Sequence, residues 1–422
     1  MNKGHGALPA SRIAALDVLR GVAILGTLLT NIWIFANLAR DFDTVLSTST
    51  MAQEVTHWFA GTATGPKDEL LVDFLLYLVS DGKFLGLLTI MFGIGMEIQR
   101  QSALRRGRAW PGGYRWRAGL LVVEGLLHYI FIFSYDVLMG YGLIALVVAG
   151  LLARSEKVQN WAIGLSLSAH LVVLGFITVS SWQGKHAADM DLNAMRDDAN
   201  IWEELFPDTS HYWPMVQDRL AGFWSGRYEV AIMFAMGIAL FLIGARLYRA
   251  GLFLPAQSRL RRRVLVLAFG VGLPLDWALR FFVTMDASAL TRYLTSSFVA
   301  FGILAAVAEF YVRRNNHAGF TGRCLQAVGR MALTCYILQN ILASLIFYDF
   351  GLGITHAISG RGQTWWVLGI YLGICAFLVA FSRLWLSKFS RGPIELVLAA
   401  ALRRLSPDNA EATRQPVPAV AG

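Results

Sequence analysis

Charged side chains make up only 15% of this 422-residue sequence against 56% hydrophobic residues, a shortage that excludes a soluble domain of ordinary surface chemistry. Cysteine is nearly missing as well. Cys324, Cys335 and Cys375 all lie in or beside apolar runs, so no disulfide framework is expected and packing is their role. The chain has no Gly-x-Ser-x-Gly elbow, no His-Glu-x-x-His, no phosphate-binding loop and no Cys and His pair at metal spacing, which removes the common hydrolase, metalloprotease and nucleotide-binding signatures. No metal is expected. A cleavable leader is not expected either, since the first apolar run is too long and lacks a small-residue cleavage site.

What is present is a series of ten apolar runs able to cross a hydrocarbon core of roughly 30 Å. They lie near residues 18–38, 70–98, 118–134, 137–153, 160–181, 229–247, 264–284, 292–312, 325–348 and 364–386. The expected fold is all-α, a polytopic transmembrane helical bundle of about ten spans. Basic residues crowd alternate loops, notably Arg100 to Arg117 and Arg246 to Arg263, and the positive-inside rule puts those loops and both termini in the cytoplasm. The net charge of +9 then reports orientation and contact with the lipid bilayer's anionic headgroups. It does not point to nucleic acid, because the arginines are dispersed over separate short loops.

Residues 1–404 are expected to form the transmembrane domain, and 405–422, rich in Pro and Ala, a disordered cytoplasmic tail. Within that domain the external segment 182–227 is dense in aromatic residues, which suits short helices along the outer interface. Pro393 to Leu405 alternates Glu395, Arg403 and Arg404 with apolar residues, the pattern of a helix lying in the cytoplasmic interface. No internal repeat is visible. No pair of interrupted spans is expected.

Polar residues inside the runs mark a site. On the first span, Asp17, Thr27 and Asn31 fall within about 60° of Arg20 on a helical wheel, making one polar stripe. Glu124 and His128 fall within about 20° of Arg117 on the third span. Arg20 to Asn31 and Arg117 to His128 are both eleven residues, about 16 Å of helix rise, so Asn31 and His128 are expected at one depth. A structural alternative has Asp17 and Arg20 pairing only with each other, and Asn31 gluing two helices.

Asp136 stands at the outer end of the His128 helix. In span two, Lys83 cannot stay charged in hydrocarbon alone, and Asp81, Asp17 or Asp136 is its expected partner. Asp17, Arg20, Asn31, Lys83 and His128 are thus expected to face one polar cavity between spans one to three. Asp276 with Arg280 and Glu309 with Arg313 read as local i,i+4 ion pairs. Span nine adds Arg330, Tyr336, Gln339 and Asn340, expected to face the same interior.

The motifs Leu16-Asp17-Val18-Leu19-Arg20-Gly21 with Asn31, Asp81-Gly82-Lys83-Phe84, Phe92-Gly93-Ile94-Gly95, Gly125 to His128, Asp136 with Tyr141, and Gly329 to Thr334 with Tyr336 and Gln339 resemble the YeiB-like family of bacterial inner-membrane proteins, the domain of unknown function 418. The ending Gly392-Pro393-Ile394-Glu395 fits it too. The Asp-x-x-Arg-Gly opening followed by Asn31 is also similar to heparan-alpha-glucosaminide N-acetyltransferases and the broader transmembrane acyltransferases. That resemblance implies an acyl-CoA donor such as acetyl-CoA at the cytoplasmic face and a small-molecule or glycan acceptor across the membrane. Asn31 matches that pattern's site asparagine, and His57 occupies roughly the loop position of its catalytic histidine. The O-acylating branch usually has His where this chain has Asn31, which places the chain outside that branch.

An enzyme so built has Asp17, Arg20, Lys83, Gln99, Arg117 and Arg330 as candidates for holding the donor. His128 or His57 is the candidate base, with Asn31 and Asp136 as further catalytic candidates. A proton-coupled solute transporter using the same buried charges is the other reading, with a scaffold or lipid-binding role behind it. A second copy of the chain, as a homodimer, is carried as a partner.

Overall fold

The computed structural model describes residues 13–37, 67–188, 209–282, 288–360 and 362–405, and every regular element among them is a helix. Hydrocarbon offers no water to an unpaired amide or carbonyl, so an apolar chain that crosses it must satisfy its backbone within each segment. The first half comprises α1 (Ala14–Asn37), α2 (Lys67–Ser80), α3 (Lys83–Arg105), α4 (Tyr114–Phe131), α5 (Leu138–Leu152) and α6 (Glu156–Ala188). After them come α7 (Tyr212–Ala221), α8 (Tyr228–Arg249), α9 (Ser258–Leu267), α10 (Leu273–Phe282) and α11 (Ser296–Arg313). The chain closes with α12 (Phe320–Arg330), α13 (Ala332–Phe347), α14 (Gln363–Lys388) and α15 (Pro393–Leu405).

Seven segments are long and apolar enough to cross a membrane, or eight if the bent pair α12 and α13 forms one span. The other two apolar runs are α4, which carries Arg115, Arg117 and Glu124, and α5, whose 15 residues extend only about 22 Å. The expectation of uninterrupted spans fails at two places. α12 and α13 meet at 86° across Met331. The second run breaks at Asp81-Gly82, where Gly82 takes φ +72°, a left-handed conformation that other residues adopt at a cost. π-helical turns, Ala268–Gly272 and Thr291–Thr295, also lead into α10 and α11.

Glycine decides which helices touch. With no hydrophobic drive between helices in lipid, close backbone approach supplies the packing energy. α1 lies against α12 with Gly21 on the Leu325 carbonyl and Gly329 on the Asp17 carbonyl. α3 crosses α8 through Gly93 against Phe241 and Gly244 against Ile90, while α4 meets α5 through Gly125 and Gly142. α6 takes little part in this core, with only 11% of its spanning window buried, so its Trp161, Leu165 and Phe176 face outward. On the far side, α7 is one of the short helices expected in the external segment. Its Tyr212 donates to the Phe131 carbonyl at 2.9 Å and Arg219 to the Ile130 carbonyl at 3.3 Å, supplying donors to the otherwise open carbonyl end of α4.

His57 and the tail beyond Leu405 lie outside the described residues, as does part of the external segment.

A methyl group at Gly329 would overlap the Asp17 carbonyl, whereas one at Gly369 on α14 would meet nothing within 4 Å. Gly329→Ala should therefore cost on the order of 1–3 kcal/mol and lower the thermal unfolding midpoint in detergent. Gly369→Ala should leave it unchanged or raise it slightly.

Candidate functional site

α1, α3, α4, α13 and α15 enclose a cavity of about 460 Å³. One end is cationic, lined by Arg20, Arg117, Arg330 and Arg391 with Gln99 and Glu395. Arg20 passes beside Gly95, and Asp17 steadies it at 3.5 Å. Arg330 stands at the α12–α13 break and donates to the Ser390 carbonyl at 3.3 Å, while its Nε is buried without a hydrogen-bond partner. Four arginines against one lining carboxylate give the chamber a positive potential that draws in anions. Of the six residues the sequence offered for holding a donor, Arg20, Gln99, Arg117 and Arg330 thus meet in one cavity, and Asp17 supports it through Arg20.

α15 forms one wall and is tied to α13 by Glu395 and by the Ile394 amide, which donates to the Thr334 hydroxyl at 3.2 Å. The break at Met331 leaves the first amides of α13 unpaired by the helix. Glu395 accepts from the Leu333 amide at 3.0 Å, the Thr334 amide at 3.3 Å and the Thr334 hydroxyl. Its negative charge also suits the positive helix end. α15 turns Glu395, Leu398, Ala399 and Leu402 toward the cavity, although none of its residues is fully buried.

Tyr336 lines the cavity, and its ring centre lies 5.2 Å from that of His128. His128 is 1% exposed. Its Nδ1 is 3.1 Å from Asp136 Oδ1, out of line for a hydrogen bond, and its Nε2 is 3.2 Å from the Asn340 amide nitrogen. Asp136 is held in turn by three contacts. Its Oδ2 accepts the Met139 amide at 3.0 Å at the start of α5, Arg227 Nη2 stands 3.9 Å from the carboxylate, and the same guanidinium donates to the Asp136 carbonyl at 2.9 Å. With both ring nitrogens facing protein, His128 reaches a substrate atom only when the Asn340 amide gives way. Glu124 on α4 lies within electrostatic range of Asp136 and Glu395, its two carboxylate oxygens buried without a partner.

Of the five residues expected to face the cavity only Arg20 lines it; Asp17 and His128 stand behind lining residues, and Asn31 and Lys83 stand elsewhere. Asn31 is half-buried and does not line the cavity; one helical turn before it, Thr27 accepts from Gln339 at 3.4 Å. Lys83 belongs to a separate ion network. Its Nζ bonds Asp276 at 2.7 Å, with only the carbonyl of Asp81 nearby at 3.4 Å, so neither Asp17 nor Asp136 is its partner. Arg280 bridges Asp276 at 3.2 Å and Asp81 at 2.8 Å, and Arg292 bridges Asp81 at 2.9 Å and Glu229 at 3.6 Å. Thr295 and Ser296, at the π-helical turn, add hydroxyl donors to Asp276 and to the Asp81 carbonyl. Three cations balance three anions there, which closes the network electrically. The local pairs Asp276 with Arg280 and Glu309 with Arg313, at 2.7 Å, are present. Among the described residues no group of three His, Cys, Asp or Glu could hold a metal ion.

These features define a multi-pass helical membrane protein with a cationic chamber that abuts a buried histidine and aspartate. Residues 247–404 match the family model "Protein of unknown function (DUF418)". The chain is similar to "Uncharacterized protein YeiB" of Escherichia coli (strain K12), 29% identical over 412 residues covering 91% of this chain and 94% of that protein. It is also similar to "Uncharacterized protein YxaH" of Bacillus subtilis (strain 168), 26% identical over 409 residues, 93% and 95% of the two chains. The chain is thus YeiB-like along its length, with the DUF418 match confined to residues 247–404. No solved structure matches it.

Removing one partner of a buried ion pair strands the other, at about 3–5 kcal/mol. Arg280→Gln should therefore abolish stable folding in detergent, read as loss of a monodisperse gel-filtration peak. Glu395→Ala removes a cap worth about 1 kcal/mol and should speed maleimide reaction at a Leu402→Cys position. Equal labelling rates with and without Glu395 would show that this contact does not hold α15.

Proposed function

We propose that this protein is an acyltransferase of the bacterial inner membrane, taking an acyl group from acyl-CoA at its arginine-rich, cytoplasmic side and passing it to a small-molecule or glycan acceptor of the cell envelope. The observation that carries this reading is the continuity from the arginine end of the chamber through Tyr336 to His128. Arg20, Arg117, Arg330 and Arg391 suit the phosphates of CoA, and the thioester then lies inward of them. The acceptor's hydroxyl or amine adds to the thioester carbonyl, the carbon–sulfur bond breaks, and the acceptor proton passes through His128 Nε2 to the departing thiolate. Asp136 stabilises the imidazolium from the Nδ1 side and is itself fixed by Arg227 and the α5 amide. Tyr336 stands between the chamber and the imidazole, where its ring sets the approach of the thioester.

Two observations support a second reading, a proton-coupled small-solute transporter. The 86° break between α12 and α13 resembles the discontinuous helices of transporters, and ionisable residues inside spans are the usual elements of proton paths.

Binding and turnover separate the two. CoA should bind the purified protein with an affinity that falls as salt rises. Arg117→Ala should weaken it roughly tenfold or more, since a charged hydrogen bond contributes about 1.5–3 kcal/mol. His128→Ala should lower transfer roughly 10²–10⁴-fold while leaving CoA affinity within about twofold, because a base serves the chemical step and not donor binding. If no CoA binds and the protein instead moves a solute into proteoliposomes, with folded His128→Ala inactive, transport is the function.

A further inference from the structure

The chamber carries its arginines at one end, and the α1, α3 and α4 walls turn apolar away from them, while Tyr336 adds one hydroxyl-bearing ring to the α13 wall. On α1, Arg20 is followed one turn along by Ile24, and on α4, Arg117 by Leu121. α3 runs the opposite way and repeats the order in reverse, from Leu88 through Met91 and Phe92 to Gln99. Gln99 to Leu88 spans eleven residues, about 16 Å of helix rise. α15 closes the remaining side with Leu398 and Leu402.

An acetyl group attached to an arginine-held head would fill only the outermost part of that depth. The rest of the wall would face water that it cannot hydrogen-bond, or empty space, and both forfeit contact energy. An aliphatic chain fills it and gains the transfer free energy of each buried methylene.

We infer that the chamber's ligand is an anionic amphiphile, its phosphate-bearing head on the arginines and an aliphatic chain well beyond acetyl along the Ile24, Leu88, Met91 and Leu121 walls. This rests on the acyl-CoA reading for the head group and adds the class of acyl chain. A long-chain acyl-CoA and an anionic phospholipid of the surrounding bilayer share this chemistry.

The test titrates purified full-length protein in nanodiscs of zwitterionic lipid with CoA, acetyl-CoA, octanoyl-CoA and palmitoyl-CoA, and separately with lysophosphatidylglycerol. Affinity should rise from acetyl-CoA onward by up to about fourfold per methylene and level off where the chain fills the chamber. Leu121→Trp, placed on a half-buried wall position, should move that plateau to shorter chains, lowering palmitoyl-CoA affinity by a larger factor than it lowers CoA affinity. The comparison with the parent protein removes any partitioning of ligand into lipid. Equal affinity for all four CoA species overturns the inference and leaves the acyl-CoA reading standing. Failure of every CoA species, with lysophosphatidylglycerol binding and losing affinity in Leu121→Trp, supports the amphiphile and overturns acyl-CoA as its source. If neither class binds, both readings fall.

Discussion

An ion in hydrocarbon must meet a counter-ion, a dense set of hydrogen-bond donors, or water, and this rule sorts the polar residues of the protein into two sets. Lys83, Arg280 and Arg292 close on Asp276, Asp81 and Glu229, so nothing in that network calls for a further charge. Around the chamber the balance is broken. Arg20, Arg117, Arg330 and Arg391 outnumber Glu395 and the Asp17 beside them. A closed set holds helices together; an open one leaves charge facing water, as Arg117 and Arg391 do.

The helix breaks put each set where it stands. At Asp81-Gly82 the left-handed glycine ends one helix and starts the next, leaving the carbonyl and carboxylate of Asp81 free to collect Ser296, Arg280 and Arg292. At Met331 the bend turns the chain through nearly a right angle and leaves Arg330 and the first amides of α13 facing one space. Both breaks use backbone groups that a straight helix would have consumed internally, so irregular geometry and polar function arise together.

Much of this was legible in the sequence because it follows from periodicity. The apolar runs, the i,i+4 pairs and the polar stripes of α1 and α4 come from spacing along single helices, and the i to i+3 or i+4 rule delivers them; the meeting of Arg20, Gln99, Arg117 and Arg330, which sit on four different helices, is tertiary packing. The partner of Lys83 was not legible in the same way. Asp81, Asp17 and Asp136 were nearer in sequence or in helical phase than Asp276, which lies 193 residues away on a helix whose rotation depends on a π-helical turn. Glu395 was visible only as one face of an amphipathic stretch. Its target is an amide exposed by a bend, and the sequence signal for that bend, Arg330-Met331-Ala332, contains neither proline nor a glycine at the corner. The interior position of His128 was readable from its stripe, but the neighbours of its two nitrogens, Asp136 across a turn and Asn340 from a helix 212 residues on, were a matter of tertiary packing.

The cap on α13 has a consequence for how the protein is made. The amides of Leu333 and Thr334 are satisfied by a residue 62 and 61 positions later, beyond a complete further apolar helix. During synthesis, α13 therefore enters the bilayer with its first turn still open to water or headgroups. The chamber gains its last wall only when Pro393 to Leu405 has left the ribosome and folded back. Until then the nascent chain holds its arginines beside an unfinished helix end, which makes assembly of this region a late event governed by α15.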